Sequence, residues 1–253
     1  MTQVIAVINQ KGGVGKTTTA LNLAAYLRKM GRSVLIIDID PQGNATSGLG
    51  IDKTSRDNTI YDVLLEKTTV AEAITEAPTI GIDVITANAN LAAAELDLAE
   101  RPEREFALKQ ALTGLTYDYV LIDCPPALGL LTINALVAAK WVFIPVQAEY
   151  YALEGLGQLL DVMQRVRNGL NPDLELLGVC ATMYDSRTSL AESVYAELKK
   201  HFGVKLCKTV IPRNVRLAEA PSYGKTILEH DKWSKGARAY KQLAQEIDSR
   251  IGK

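Results

Sequence analysis

Nine consecutive residues carry the clearest chemistry in this chain: Gln10, Lys11, Gly12, Gly13, Val14, Gly15, Lys16, Thr17 and Thr18 lie between an apolar run and a helical pattern. In such a loop the backbone N–H groups point inward and cradle phosphates, and the following helix presents the positive end of its dipole. Lys16 adds a point charge at the outer phosphates, and the Thr17 hydroxyl is placed to ligate Mg²⁺. Glycine keeps side chains from holding the backbone away from the anion. A tight turn that needs only flexibility is the plainer alternative, but it does not account for Gly-Lys-Thr between a strand and a helix. The loop departs from the pattern G-x-x-x-x-G-K-[ST] at position 10, where Gln10 replaces glycine, and it opens with a second lysine. One lysine already serves the nucleotide of its own subunit. Lys11 therefore either crosses a dimer interface to neutralise charge on a partner's γ-phosphate, as an arginine finger does, or is simply solvated.

The elements that position this loop alternate along the chain. Residues 4–9 form a short apolar run, and 17–30 place Ala20, Leu23, Ala24 and Leu27 on one helical face, closed by Gly31. Further apolar runs fall at 33–38, 82–86, 119–123, 141–146, 174–182 and 208–211. Leu153, Leu156, Leu160, Met163, Val166 and Leu170 recur at helical spacing between two of them. Strands apolar on both faces and separated by helices predict a doubly wound α/β fold, a mostly parallel twisted sheet with helices on both faces. Residues 43–79 are the least regular part and are expected to hold short helices and loops. No linker, repeat or low-complexity tract divides the chain, so 1–253 reads as a single domain.

Composition describes an ordinary soluble protein: 47% hydrophobic and 23% charged residues exclude disorder, collagen-like sequence and membrane spanning as whole-chain descriptions. A formal net charge of −1 argues at first against a polyanion partner. That mean hides an asymmetry. Residues 1–150 hold 12 Lys+Arg and 17 Asp+Glu, whereas 151–253 hold 16 and 12; residues 187–225 alone hold eight basic and three acidic side chains. Such a run is either a functional patch or a solvated face. Cys124, Cys180 and Cys207 form no C-x-x-C pair and sit in or beside apolar runs, which reads as buried thiols in a reducing compartment. No stretch approaches the length of a membrane span and no signal peptide is apparent, so the expected location is cytoplasmic.

Several motifs carry a family resemblance. KGGVGKTTT at 11–19 resembles the deviant phosphate loop of the ParA/MinD group of ATPases, and DIDPQGNATSGLG at 38–50 resembles its ParA/Soj chromosome-partitioning branch. LIDCPP at 121–126, PVQAEYYALEG at 145–155 and VIPRNVRLAEAP at 210–221 follow in the order of that branch, so the resemblance covers nearly the whole chain. It implies the P-loop fold and Mg²⁺-dependent hydrolysis of ATP. Lys16 and the amides from Gly12 through Gly13, Val14, Gly15 and Thr17 to Thr18 would hold the phosphates, with Thr17 on Mg²⁺ and Lys11 on the other subunit's nucleotide. Asp123 matches the residue that positions Mg²⁺ through water, and Asp40 the one that orients the attacking water, close to the metal, with Asp38 in support. Taken alone, Asp38 and Asp40 before Pro41 also suit a turn. Pro212 and Asn214, with Met183 less directly, match the wall around adenine, although Pro-x-Asn is ordinary turn chemistry too. Arg187, Arg216 and Lys225 match positions of non-specific DNA binding, where contacts to phosphates give salt-sensitive affinity without sequence choice. Arg213, Lys199, Lys200, Lys205 and Lys208 either join them or are solvated. The chain departs from the family at Ala127, where serine is frequent. Its first strand begins near the N-terminus, which leaves no place for the operator-reading extension of plasmid-type relatives.

The resemblance thus implies an ATP-dependent homodimer on nucleoid DNA, released by hydrolysis that a ParB-like partner stimulates, and no membrane association. A MinD-like membrane-surface ATPase would instead need an amphipathic C-terminal anchor. The helical pattern at 235–251, with Tyr240, Leu243, Ile247 and Ile251 beside Ala237 and Ala244, suits docking on its own sheet better. A redox carrier bridged by an iron–sulfur cluster would need two cysteines at the interface. A DNA-coating scaffold with negligible turnover differs from the first reading only in rate.

Overall fold

The computed structural model describes residues 2–55, 57–78, 80–149 and 154–252. Its strands are β1 (Gln3–Val7), β2 (Val34–Asp38), β3 (Ile74–Glu76), β4 (Asp83–Ile85), β5 (Tyr119–Asp123), β6 (Trp141–Gln147) and β7 (Glu175–Thr182). They form one sheet in the order β3-β4-β2-β5-β1-β6-β7. Every pairing is parallel except that of the edge strand β3 with β4. The helices in chain order are α1 (Lys16–Lys29), α2 (Asn44–Gly48), α3 (Ile60–Leu64), α4 (Val70–Ala73), α5 (Ala94–Leu98), α6 (Ala107–Ala111) and α7 (Leu130–Ala138). They continue with α8 (Glu154–Gly169), α9 (Ser189–Phe202), α10 (Val215–Glu219), α11 (Ile227–His230) and α12 (Lys235–Ile251).

Side chains alternate through the sheet into two separate cores. Ile5, Ile36, Leu121 and Phe143 face α1, α11 and α12, while Ala6, Ile37, Ile122 and Ile144 pack under α3, α5, α7, α8 and α9. Both faces of the central strands are therefore dry, as their near-continuous apolar runs require. The stripe of α12 closes one face: Ala237, Tyr240, Leu243, Ala244 and Ile247 are buried there, with Tyr240 Oη 3.1 Å from Thr19 Oγ1 on α1. No described helix is long and apolar enough to cross a membrane.

Two elements differ from the sequence expectation. Residues 208–211 do not form a ladder strand. The N–H groups of Cys207 and Ile211 donate to Val179 and Ala181 of β7, so four positions span two, and the amides of Lys208 and Thr209 between them donate to the Glu246 carboxylate of α12 at 2.9 and 3.0 Å. A side chain has replaced the neighbouring strand as acceptor. Strand β3 escapes a pattern search because it is three residues long and follows α4 directly. Residues 150–153, within the 145–155 motif and including Leu153 of the helical stripe, lie outside the described residues.

Candidate functional site

The loop after β1 is held from three sides. Asn9 Nδ2 donates to the Pro145 carbonyl of β6 at 2.7 Å, and Asn9 Oδ1 accepts the Lys11 N–H at 3.0 Å. Thr182, at the end of β7, donates its hydroxyl to the Val14 carbonyl at 2.7 Å. Gly13 and Gly15 adopt φ of 72° and 91°, a left-handed conformation that L side chains rarely take. Gly15 caps α1 without any side chain, so the amides of the first turn have no capping acceptor. A Cβ built on Gly12, Gly13 or Gly15 meets nothing within 4 Å and points into open space in front of the loop. The arrangement is an anion cradle: free amides at a helix start, and no side chain to obstruct them.

Three carboxylates converge on it because of strand register. Asp38 ends β2 and Asp123 ends β5, and the two are paired neighbours in the sheet. Both are fully buried, and Asp40 and Lys16 are 8% exposed. Asp38 is satisfied: one oxygen accepts the Thr46 N–H and hydroxyl, both at 2.8 Å, and the other accepts the Asp40 N–H at 3.2 Å. Burial nonetheless pushes its carboxyl up to about 6, against the pull of the Thr46 donors. Asp123 is different. Both its oxygens are buried without a hydrogen-bond partner. The Thr17 hydroxyl lies near enough to lower its pKa but outside bonding geometry. Burial, then the Asp38 charge, outweigh that and raise the group well above the ordinary carboxylate range. Burial likewise lowers Lys16, partly offset by Asp123 and Asp40, and its ammonium donates to the Lys11 carbonyl at 3.3 Å. An orphaned buried carboxylate beside a threonine hydroxyl suits Mg²⁺, an all-oxygen octahedral ion that takes only one or two carboxylates and keeps several waters.

Two cavities adjoin the loop. One, of about 470 Å³, is lined by Gly12, Gly13, Lys16, Thr17 and Asp40. The other, of about 320 Å³, is mostly apolar and is lined by Thr182, Ile211, Pro212, Asn214, Leu217 and Tyr240. Gly15, Thr18 and Met183 line both. Met183 takes φ of 50°, costly for a non-glycine residue, and sits where β7 ends and the chain turns away. Pro212 bridges to Tyr184 as a parallel partner. Asn214 caps α10 by accepting the Leu217 N–H at 3.3 Å, so the turn chemistry read in the sequence is present, and the residue lines the apolar cavity as well.

Lys11 is exposed and pairs with Glu149 at 3.2 Å; Arg213 approaches the same carboxylate at 3.8 Å. Arg187 is held by Asp185 through its Nε and Nη2 at 2.9 and 2.7 Å. Arg216 pairs with Glu219 at 2.9 Å and Asp231 at 3.8 Å, and Lys225 is exposed. Lys199 and Lys200 end α9, apart from the loop. Ala127 is exposed, and its carbonyl accepts the Thr132 hydroxyl at 2.6 Å. Cys180 and Cys207 are both fully buried in the core beneath α12, and Cys124 is 1% exposed after β5. Sequence reasoning missed Asn9, Thr46, Glu149 and Thr182. Of these, only Thr46 and Glu149 lay in motifs already singled out.

A family profile described as an AAA domain matches residues 2–176. The chain is 54% identical over 249 residues to the sporulation initiation inhibitor protein Soj of Bacillus subtilis, covering 98% of each. It is 50% identical over 252 residues to the chromosome partitioning protein ParA of Caulobacter vibrioides, covering 98% of this chain and 94% of that one. Among solved structures, cobyrinic acid a,c-diamide synthase from Mycobacterium smegmatis, with bound ATP analogue and magnesium, matches with a TM-score of 0.88. That match has 39% identity and covers 100% of this chain and 98% of the other.

Proposed function

The chain belongs to the Soj/ParA family of chromosome-partitioning P-loop ATPases, and from that premise we propose that it hydrolyses ATP to ADP and phosphate as a switch for DNA binding. In this reading 1–253 act as one nucleotide-binding domain. The amides of Gly12 to Thr18 and the Lys16 ammonium hold the phosphates, and Met183, Pro212 and Asn214 wall the adenine in the apolar cavity beside them. Thr17, Asp123 and Asp40 hold Mg²⁺, which when bound offsets negative charge on the phosphates. Asp40 orients the attacking water, while Asp38, bonded to Thr46, fixes the loop that carries Asp40. Little covalent help is required, since positioning and charge compensation account for most of the catalysis of phosphoryl transfer.

Lys11 leaves Glu149 and reaches the nucleotide of a second subunit, so that two chains close face to face around ATP. Arg187, Arg216 and Lys225 then hold the phosphates of nucleoid DNA without reading sequence. Hydrolysis, stimulated by a ParB-like partner, opens the dimer and releases the DNA. The single observation that carries this reading is the buried, partnerless Asp123 beside Lys16 and Thr17. A membrane-surface ATPase has less support, because the apolar stripe of α12 is covered by its own sheet.

The decisive experiment measures DNA binding with ATP, ADP and no nucleotide across a salt series. The wild type is compared with Asp40→Ala and with charge reversal at both Arg187 and Arg216. Binding is expected only with ATP, to persist in Asp40→Ala while turnover is lost, and to disappear in the reversed protein. Binding that ignores nucleotide, or normal turnover by Asp40→Ala, refutes the assignment.

A further inference from the structure

The surface beside Arg216 carries two large aromatic side chains in the open: Trp233 is 79% exposed and Tyr223 is 66% exposed. Trp233 sits on a stiff turn. Its N–H donates to Asp231 Oδ1 at 3.1 Å, and the Ser234 hydroxyl donates to the Asp231 carbonyl at 2.9 Å while accepting the Ala237 N–H at 3.0 Å as the cap of α12. Asp231 is also 3.8 Å from Arg216, so one carboxylate joins the Trp233 backbone and the Arg216 guanidinium. Tyr223 stacks on His230 with ring centroids 5.0 Å apart, and His230 lies 3.5 Å from Glu219, the other acid that holds Arg216.

Single apolar residues on a surface are ordinary; the charge around this one is not. Lys232 Nζ lies 5.3 Å from the indole centroid. Among the described residues no carboxylate lies within 4 Å of Lys225, Lys232 or Lys235, although all three are exposed. An open indole on a turn that also carries the unpaired Lys232 and Lys235 complements a polyanion whose sugars offer apolar surface between its phosphates.

We propose that Trp233 is a DNA-contacting residue, its indole packing against the deoxyribose rings along a groove edge while the neighbouring lysines hold phosphates. This rests on the DNA-binding reading above and adds to it an affinity component that salt does not screen.

Trp141, the other of the two tryptophans, is partly buried with Nε1 donating to Gln3 Oε1 at 2.8 Å. A Trp141→Phe protein therefore reports on Trp233 alone. With ATP and duplex DNA, its fluorescence is expected to become protected from acrylamide. In binding titrations Trp233→Ala weakens affinity several-fold at every salt concentration, the scale of losing one apolar contact, and leaves the slope of log K against log salt unchanged. Trp233→Phe recovers most of the loss. Lys225→Ala instead reduces the slope by about 1.8, since each of the two chains of the ATP dimer loses one phosphate contact. Unchanged affinity of Trp233→Ala, an altered slope, or an indole still open to acrylamide in the DNA complex overturns the proposal. So does protection by vesicles of anionic phospholipid but not by DNA. Wild-type protein that fails to bind DNA with ATP refutes the underlying reading instead, whereas wild-type binding with an unaffected Trp233→Ala refutes this inference alone.

Discussion

Removing Asp123 should stabilise the nucleotide-free protein while removing the stabilisation that nucleotide confers. Both Asp123 oxygens are buried without a partner, and leaving a buried polar group unsatisfied costs about 1–3 kcal/mol, more when it is charged. Asp123→Ala removes that cost together with the repulsion from Asp38 and Asp40. The hole left by a carboxyl group costs on the order of 1 kcal/mol in return. A net gain of about 1–2 kcal/mol corresponds to a rise in Tm of about 2–8 °C for a chain of this size. Excess ATP and Mg²⁺ should then reverse the order: at a hundred times Kd, ligand adds about 2.7 kcal/mol to a protein that binds it and nothing to one that does not. The pH dependence has a definite sign. A carboxyl whose pKa is higher folded than unfolded binds more protons in the fold, so its contribution is fully present below the unfolded value, near 4, and is lost as pH rises through the folded value. Asp38, at about 6, and Asp123, raised well above the ordinary carboxylate range by burial and by Asp38, both follow this course. The advantage of Asp123→Ala should therefore grow from pH 5 upward. Thermal melts with and without Mg²⁺ and ATP at several pH values make the measurement. A variant less stable than wild type without nucleotide, or an advantage constant with pH, refutes the reasoning.

Three further substitutions test the supports of the site. Thr46→Val removes a hydroxyl that donates to Asp38 and accepts the Ala87 N–H at 3.0 Å; two buried groups lose partners, and urea denaturation should show a loss of about 2–4 kcal/mol. Asp185→Asn weakens the hold on Arg187; ATP-dependent DNA binding should tighten a few-fold in a binding titration because Arg187 no longer leaves an ion pair to reach a phosphate, and unchanged affinity removes Arg187 from the contact. Glu149→Gln frees Lys11, but the pair is over 40% exposed and such pairs contribute at most about 1 kcal/mol. Both chains of the proposed dimer free a lysine, so it should tighten by no more than about thirtyfold in analytical ultracentrifugation, and a larger change marks Glu149 as more than a counterion.

The sheet was legible because its strands are apolar on both faces, a pattern that only a covered parallel sheet explains. The phosphate loop was legible because glycines and Gly15-Lys16-Thr17 are local in sequence. Contacts made across the sheet could not be read in the same way. Asn9 reaches Pro145 and Thr182 reaches Val14, 136 and 168 residues away, and nothing in either residue's surroundings announces its partner. The segment at 208–211 failed for the same reason: its composition suits a strand, but Glu246 from α12 takes the amides that β7 would have received. Asp38 stands beside Asp123 in the sheet, yet its engagement with Thr46, eight residues on, makes it chiefly an anchor for the loop and α2.

The charge distribution has the same character. Counting residues at 187–225 gives eight basic side chains, but Arg187, Arg213 and Arg216 each lie within 4 Å of an acid supplied by the fold. The positive surface of one chain is therefore weaker than its sequence suggests, and Lys225 with Lys232 and Lys235 holds much of the unpaired charge beside Arg216. Each phosphate contact contributes about 0.9 to the salt slope, so in the proposed cycle a single chain, whose patch arginines are all held by acids, would lose DNA more readily than a pair of chains. Two chains joined around ATP in that cycle would present twice the contacts on one duplex and double the slope. In the proposed cycle, dimerisation alone is enough to switch DNA binding, and the basic surface need not change shape when nucleotide binds.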